Sequence, residues 1–156
     1  MESVLRQTYK DIEHIIVDGA SKDDTMSIVR ELEPQYKGRL KYISEPDMGI
    51  YDAMNKGIHM ATGDVIGILN SDDFYSSDDI LQTVADNIKD VDSIYADVHY
   101  IDGDSVENGV RYYSSRRFRR WQMIMGFMPA HPSFYCRRVI YDLSLIHISE
   151  PTRRTP

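Results

Sequence analysis

The sequence predicts an α/β fold in which helices flank a mostly parallel sheet. Two observations lead to this fold class. Short runs of β-branched and aliphatic residues alternate with segments whose apolar residues recur at helical spacing, and short polar connections join them. One of these runs, Val65–Leu69, is apolar at almost every position. It is therefore suited to a strand buried on both faces, as the strands of a parallel sheet are.

The first half of the chain supplies most of this alternation. Helices are recognised by apolar residues three or four apart and by capping residues, and strands by short β-branched runs. The predicted elements are a helix at Met1–Tyr9, a strand at Ile12–Val17, a helix from Asp23 or Asp24 to about Leu32 that buries Met26, Ile28, Val29 and Leu32, a stop at Pro34 and Gly38, a strand at Leu40–Ile43, a helix at Ile50–Met60 and the strand at Val65–Leu69.

The second half continues with the same signals. Turn residues within Tyr100–Tyr113 indicate a hairpin around Asp102-Gly103-Asp104 or Asn108-Gly109. The other predicted elements are a helix at Ser77–Lys89 capped by Ser76 or Ser77, a strand at Ile94–Val98, a helix at Arg116–Met128 with Met123, Met125 and Met128 as core fillers, and a strand or helix start at Ser133–Tyr141.

The composition excludes several classes of protein. The formal charge of −7 argues against a general nucleic-acid binder, which needs clustered Lys and Arg to neutralise phosphates. The one cysteine, Cys136, cannot form an internal disulfide, and a reducing, cytoplasmic setting is the default. No apolar run approaches the roughly 20 residues of a membrane span.

Acidic residues recur where predicted strands end. Asp18, Asp47 and the pair Asp72 and Asp73 each follow a strand. The carboxyl ends of parallel strands meet at one edge of a sheet, where ligands bind. Carboxylates at that edge suit a hard divalent cation that also takes phosphate oxygens. Aspartate is also a common turn and capping residue, so the residues alone leave a cation-and-phosphate site and plain turns equally open.

Three ordered motifs carry a resemblance to a known family. VDGASKDDT (Val17–Thr25), SEPDMGIYDAMNKGIHMATGD (Ser44–Asp64) and LNSDD (Leu69–Asp73) resemble the GT-A nucleotide-sugar glycosyltransferases of family 2, over roughly Glu2 to Tyr141. The resemblance implies a Rossmann-like GT-A fold and an inverting transfer of a sugar from a nucleotide-diphosphate donor to an acceptor hydroxyl. It also implies help from Mg²⁺ or Mn²⁺.

The resemblance assigns roles to individual residues. It implies that Asp18 hydrogen-bonds the base of the nucleotide, with Gly19 next to it at the nucleotide-sugar site, and that Asp47 lies near the nucleotide. It also implies that the metal is held first by Asp73 and second by Asp72, and that Asp72 lies near the ribose. Asn70 stands where the family usually has its first Asp. The expected partners are a UDP-sugar and a glycan or lipid-linked acceptor, the latter with peripheral association at the inner face of a membrane.

The catalytic base is not marked by one unambiguous residue. By position, Asp97 matches the family's acceptor side, and His131 matches a His-containing loop near the donor diphosphate, where a structural turn role is equally open. The basic run Arg116, Arg117, Arg119 and Arg120 can grip a diphosphate or an anionic acceptor, but such a run is more often a solvated face.

Both ends depart from the family pattern. The family's first strand, which lies between the strands at Ile12–Val17 and Val65–Leu69, has no counterpart here, so residues 1–142 are expected to form a partial catalytic domain that folds and turns over poorly. Residues 143–156 resemble translated adapter sequence and are expected to be a non-native tail. Two alternatives remain: a nucleotidyltransferase of similar layout, and an inactive nucleotide-binding fragment.

Overall fold

The computed structural model describes residues 1–101, 109–125 and 129–141. The helices are α1 (Glu2–Leu5), α2 (Thr25–Tyr36), α3 (Ile50–Met60) and α4 (Ile80–Asn87), with 3-10 turns at Ser115–Arg117, Arg120–Met125 and His131–Ser133. The strands are β1 (His14–Asp18), β2 (Leu40–Ser44), β3 (Val65–Gly67), β4 (Ser93–Tyr95), β5 (Val98–Ile101), β6 (Gly109–Tyr113) and β7 (Phe134–Arg137). None of the helices in the described ranges has the length and apolar character needed to cross a bilayer.

The chain divides into two compact units. The first, called the Asp97 unit below, comprises Met1–Ile12 and the described residues of Gly67–Tyr135. The second, called the Asp18 unit, comprises Glu13–Ile66 and the described residues from Cys136 onward. Each unit contains part of the predicted site.

In the Asp18 unit, β1 and β2 form a parallel pair, as the sequence predicts. The register runs from His14 opposite Leu40 to Asp18 opposite Ser44. Both strands therefore end in a polar residue, and these two residues lie opposite each other at the carboxyl end of the pair. Among the described residues, β2 is the strand paired with β1 and β7 is the one paired with β3. Strands β1 and β3 therefore do not pair directly among the described residues.

Helix α2 extends further than predicted. Pro34 lies inside the helix, which ends at Tyr36, and Lys37 follows in the left-handed conformation. The side chain of Tyr36 is fully buried, and its hydroxyl lies 2.8 Å from Nδ1 of His14 on β1, so packing holds the last turn in place. Ile28 was expected in the core but is 51% exposed, because Val29 and Tyr36, seven residues apart, define the buried face.

Helix α3 has the predicted bounds, Ile50–Met60. Gly49 precedes it with a φ of 114°, a conformation that favours glycine. The strand β3 is shorter than predicted and ends at Gly67 instead of Leu69. A Cβ at Gly67 would clash with the ring of Tyr135, so the close approach of this ring requires glycine.

In the Asp97 unit, α4 begins later than the predicted Ser77. Its first residue is Ile80, and its N-terminus is capped from a distance by Gln7, which is 1% exposed. The Gln7 side chain donates to the Ser77 carbonyl (2.8 Å) and accepts from the Leu81 amide (3.0 Å). This cap satisfies a free amide of the first turn that a local serine was predicted to satisfy.

The predicted strand at Ile94–Val98 is broken into β4 and β5. Residues Ala96 and Asp97 lie between them, and the Ser115 side chain donates to the Ala96 carbonyl. Strands β5 and β6 form the predicted antiparallel hairpin; both candidate turns begin within residues 102–108, which lie outside the described residues.

The segment predicted as a helix at Arg116–Met128 forms 3-10 turns over its described part. Met125 is 63% exposed there, so its prediction as a core filler is wrong. The side chain of Met123 and the whole of Met128 lie outside the described residues. Near the end of the described chain, the free thiol of Cys136 on β7 is buried.

Candidate functional site

Asp18 ends β1 as a buried carboxylate held in one orientation. It is 6% exposed and accepts hydrogen bonds from the Ser21 amide (3.1 Å) and from the Ser44 hydroxyl of β2 (2.5 Å). These donors, Ser21 foremost, lower the pKa of Asp18 below its ordinary range. The parallel register of β1 and β2 is what brings Ser44 opposite Asp18. The result is a fixed, ionised acceptor at the carboxyl edge of this sheet.

Gly19 and Asp47 are in close contact beside Asp18. A Cβ at Gly19 would lie 2.7 Å from Oδ2 of Asp47, so only glycine leaves room for this carboxylate. The other oxygen of Asp47 accepts from the Gly49 amide (2.9 Å). The structure thus brings together three of the predicted nucleotide-binding residues, Asp18, Gly19 and Asp47, within the Asp18 unit.

Lys56 holds the loop that carries Asp47, and sequence reasoning missed it. From α3 its ammonium group donates to the Pro46 carbonyl (3.0 Å) and pairs with Glu45 (3.0 Å) and Asp52 (3.4 Å). The Glu45 carboxylate is the main cause of the raised pKa of Lys56. The spacing of Asp52 and Lys56, four residues apart on a helix, was the signal available in the sequence.

The acidic pair Asp72 and Asp73 lies in the Asp97 unit, in the turn that follows β3. The Asn70 amide group donates to Oδ2 of Asp73 (2.7 Å), and the Asp73 amide donates to the Asn70 carbonyl (3.1 Å). Asp72 is exposed and Asp73 half-buried. Asn70, which replaces the family's usual first Asp, therefore orients the side chain of Asp73.

Asp72 and Asp73 are the candidate oxygen ligands for a divalent cation. In the described part of the chain, no group of three or more His, Cys, Asp and Glu residues is arranged to hold a metal ion. Mg²⁺ is commonly held by one or two carboxylates together with substrate phosphates and water, so a full protein cage is not required. The carboxylates of Asp72 and Asp73 are oxygen donors of the right kind, and they fit such a partial site.

Asp97 is also held by hydrogen bonds, in the break between β4 and β5. Its Oδ1 accepts from the Ser115 amide (2.7 Å), and its Oδ2 accepts from the Tyr112 hydroxyl. These donors, the Tyr112 hydroxyl foremost, lower the pKa of Asp97. The carboxylate is half-buried, so it remains reachable from solvent.

An open cleft of about 420 Å³ adjoins Asp97. The rings of Tyr95 and Phe118 meet edge to face beside it, with their centroids 5.3 Å apart. Two exposed arginines of the predicted basic run belong to this cleft, whereas the exposed Arg117 does not. The lining residues are Tyr95, Ala96, Asp97, Ser115, Arg116, Phe118 and Arg119.

The predicted site residues thus fall into two groups. Asp18, Gly19 and Asp47 lie together in the Asp18 unit, while Asp72, Asp73 and Asp97 lie in the Asp97 unit. His131 opens a 3-10 turn in the Asp97 unit, and its side chain lies outside the described part of the structure. The roles assigned to these residues by resemblance remain predictions.

Comparison with known proteins identifies the family. The model of the family described as "Glycosyl transferase family 2" matches residues 1–144. The chain belongs to this family. A PGL/p-HBAD biosynthesis glycosyltransferase of Mycobacterium bovis (strain BCG / Pasteur 1173P2) is 39% identical over 101 residues, 63% of this chain and 40% of its own length. A Mycobacterium tuberculosis protein named an uncharacterized glycosyltransferase is 44% identical over 82 residues, 52% of this chain and 30% of its own length.

A solved structure supports the fold. The crystal structure of Staphylococcus aureus TarS 1–349 in complex with UDP matches with a TM-score of 0.70 at 18% sequence identity, over 93% of this chain and 44% of that chain. The predicted GT-A type of α/β fold is thereby confirmed. The chain spans about two fifths of the length of the first relatives it matches.

Proposed function

We propose that this chain is the donor-binding part of a glycosyltransferase that moves a sugar from a nucleotide-diphosphate donor to an acceptor hydroxyl with inversion. The observation that carries this proposal is the contact of Asp47 with Gly19 beside the buried Asp18. In a chain of family 2, this arrangement provides two oriented carboxylates at the edge of the sheet where nucleotides bind. Membership of the family favours this function over the nucleotidyltransferase alternative.

Asp18 would recognise the base of the nucleotide. Its hydrogen bonds leave lone pairs on Oδ1 for a donor, and its lowered pKa keeps it ionised. Uracil, thymine and guanine each present an imino N–H to such an acceptor, whereas cytosine presents an acceptor nitrogen. This chemistry does not separate uracil from thymine or guanine. A UDP-sugar is the donor we propose first because the structural neighbour TarS was crystallised with UDP.

Asp73 and Asp72 would hold Mg²⁺ or Mn²⁺ together with the donor diphosphate. A bound divalent cation would neutralise charge that develops on the leaving diphosphate. The protein's own part in this is Asn70, which keeps Oδ2 of Asp73 in one orientation through a 2.7 Å hydrogen bond.

Asp97 would act as the base toward the acceptor hydroxyl. Its two donors, Ser115 and Tyr112, keep the carboxylate ionised and oriented, which is the form that can accept a proton. His131 is the second candidate, because a neutral imidazole can also accept a proton near neutral pH. The acceptor we propose is a glycan or lipid-linked saccharide; cytoplasmic location and membrane association stay predictions.

Calorimetric titration of the full chain with UDP, GDP, dTDP and CDP, with and without Mn²⁺, tests the donor site. We expect UDP to bind more tightly than CDP. Asp18→Asn should weaken UDP binding about 10- to 100-fold, as expected for a charge-assisted hydrogen bond. Asp73→Asn should abolish the gain in affinity from Mn²⁺ and leave binding without metal intact.

The matched control is Asp90→Asn, an exposed aspartate outside all of these clusters. Equal weakening by this variant would mean that overall charge, and not the site, governs binding. Failure of the folded wild-type chain to bind any of the four nucleotides would contradict the proposal. Binding of UDP without transfer from a UDP-sugar, in a chain extended to the length of its relatives, would instead support the inactive nucleotide-binding alternative.

A further inference from the structure

We propose that the cleft beside Asp97 binds a saccharide acceptor that carries a phosphate group, with Arg116 and Arg119 contacting the phosphate and Tyr95 and Phe118 contacting the sugar. This inference rests on the proposed glycosyltransferase function and names the chemistry of its second substrate. The cleft is formed entirely within the Asp97 unit, by residues on β4, the break after it and the 3-10 turn at Ser115–Arg117 with the residues that follow.

The charge of the cleft favours an anion. Two guanidinium groups and one carboxylate line it, so its net charge is positive although the whole chain carries −7. Arg116 and Arg119 are exposed, and neither forms a salt bridge with a carboxylate in the described part of the chain. Planar guanidinium groups bind phosphate oxygens through paired hydrogen bonds, which makes them well suited to this ligand.

The remaining lining residues favour a sugar. The edge-to-face pair of Tyr95 and Phe118 offers apolar ring surface, and Tyr95 is 40% exposed. Asp97 is fixed by Ser115 and Tyr112 and still has lone pairs for sugar hydroxyl groups. A nucleotide diphosphate fits this combination less well, because a carboxylate within the cleft would repel its higher negative charge.

No sequence pattern separates Arg116 and Arg119 from their neighbour Arg117. Arg116 and Arg117 are adjacent on one 3-10 turn, yet Arg116 lines the cleft and Arg117 does not. This difference supplies a matched pair of substitutions, because both residues are exposed and both changes remove one positive charge.

The test is an NMR titration of the full chain with glucose, glucose 6-phosphate, inorganic phosphate and UDP. We expect glucose 6-phosphate to bind at least about ten-fold more tightly than either glucose or inorganic phosphate. Arg116→Gln and Arg119→Gln should each weaken this binding several-fold, and Arg117→Gln should leave it unchanged. UDP affinity should be the same in all three variants.

Four results would overturn the inference. Equal affinity for glucose and glucose 6-phosphate would show that the phosphate is not recognised. Equal effects of Arg116→Gln and Arg117→Gln would show that only overall charge matters. Loss of UDP affinity in Arg116→Gln or Arg119→Gln would assign the arginines to the donor diphosphate. Retained UDP binding without binding of glucose 6-phosphate would also refute this inference, while leaving the proposed donor function standing.

Discussion

Two aspartates in different units of this protein are held in similar ways, and the comparison separates local from distant causes. Asp18 is buried and takes its donors from Ser21, three residues on, and from the paired strand. Asp97 is half-buried and takes both donors from Tyr112 and Ser115, fifteen and eighteen residues on. The first arrangement follows from a strand edge, whereas the second depends on the hairpin that returns the chain to Asp97.

The largest effect that we expect is that of Gly19→Ala on UDP affinity. It tests whether the Asp18 region binds a nucleotide or is only a turn. Gly19→Ala would place a Cβ 2.7 Å from Oδ2 of Asp47 and force that carboxylate to move. We expect UDP affinity to fall about 10- to 100-fold, as when an oriented charged partner is lost. Calorimetry measures this loss, and thermal unfolding checks that the chain remains folded.

Two further variants make this result specific. Gly63→Ala is the matched control in the same unit, because the nearest atom to its added Cβ is 3.8 Å away. If Gly19→Ala acts through Asp47, it should have no further effect in an Asp47→Ala background. Additive losses in the double variant would show that the cause lies elsewhere, for example in the backbone after Asp18.

The same contrast explains what the sequence could predict. Helix α3 has its predicted bounds because its signals are local, with Gly49 before it and Ala61-Thr62-Gly63 after it. Strand β1 and the acidic residues after it were likewise predictable, since a β-branched run and its polar end are neighbours in the chain. These local signals account for the Asp18 half of the candidate site.

The predictions from sequence failed for elements whose bounds depend on a hydrogen-bond partner that is distant in the chain. The start of α4 depends on Gln7, which is 74 residues from Leu81, and no pattern near Ser77 reports it. The break between β4 and β5 depends on Ser115, which bonds to both Ala96 and Asp97. The cleft could not be predicted because residues distant in sequence form it, and nothing in the basic run itself distinguishes Arg116 from Arg117.

A second prediction concerns pH and should affect the stability of the Asp18 unit. Burial lowers the pKa of His14 to about 4, so the folded state holds this imidazole neutral. The unfolded chain, with an ordinary pKa near 6.5, binds the proton more readily. The neutral His14 therefore contributes fully to the stability of the folded state above about pH 6.5, and this contribution is lost as the pH falls toward 4. At pH 5 the free energy of unfolding should be lower by about 2 kcal/mol.

Urea unfolding of the wild type and of His14→Gln between pH 7.5 and 5 measures this effect. The stability of the wild type relative to His14→Gln should decrease by about 2 kcal/mol over that range, because glutamine does not titrate. A difference between wild type and His14→Gln that does not vary with pH would contradict a buried neutral His14.

The smallest effect that we expect tests the Asp97 side of the comparison. Tyr112→Phe removes the hydroxyl that contributes most to the lowered pKa of Asp97, while the Ser115 amide remains. Without this donor the charged form of Asp97 is less favoured, so the pKa of Asp97 should rise toward its ordinary value. Carbon-13 NMR titration of the aspartate carboxyl groups measures this shift without requiring activity.

Tyr113→Phe, on the next residue of β6, should leave the Asp97 titration unchanged. An unchanged titration in Tyr112→Phe would mean that the Ser115 amide alone fixes Asp97, and its orientation would then depend on the 3-10 turn instead of the hairpin.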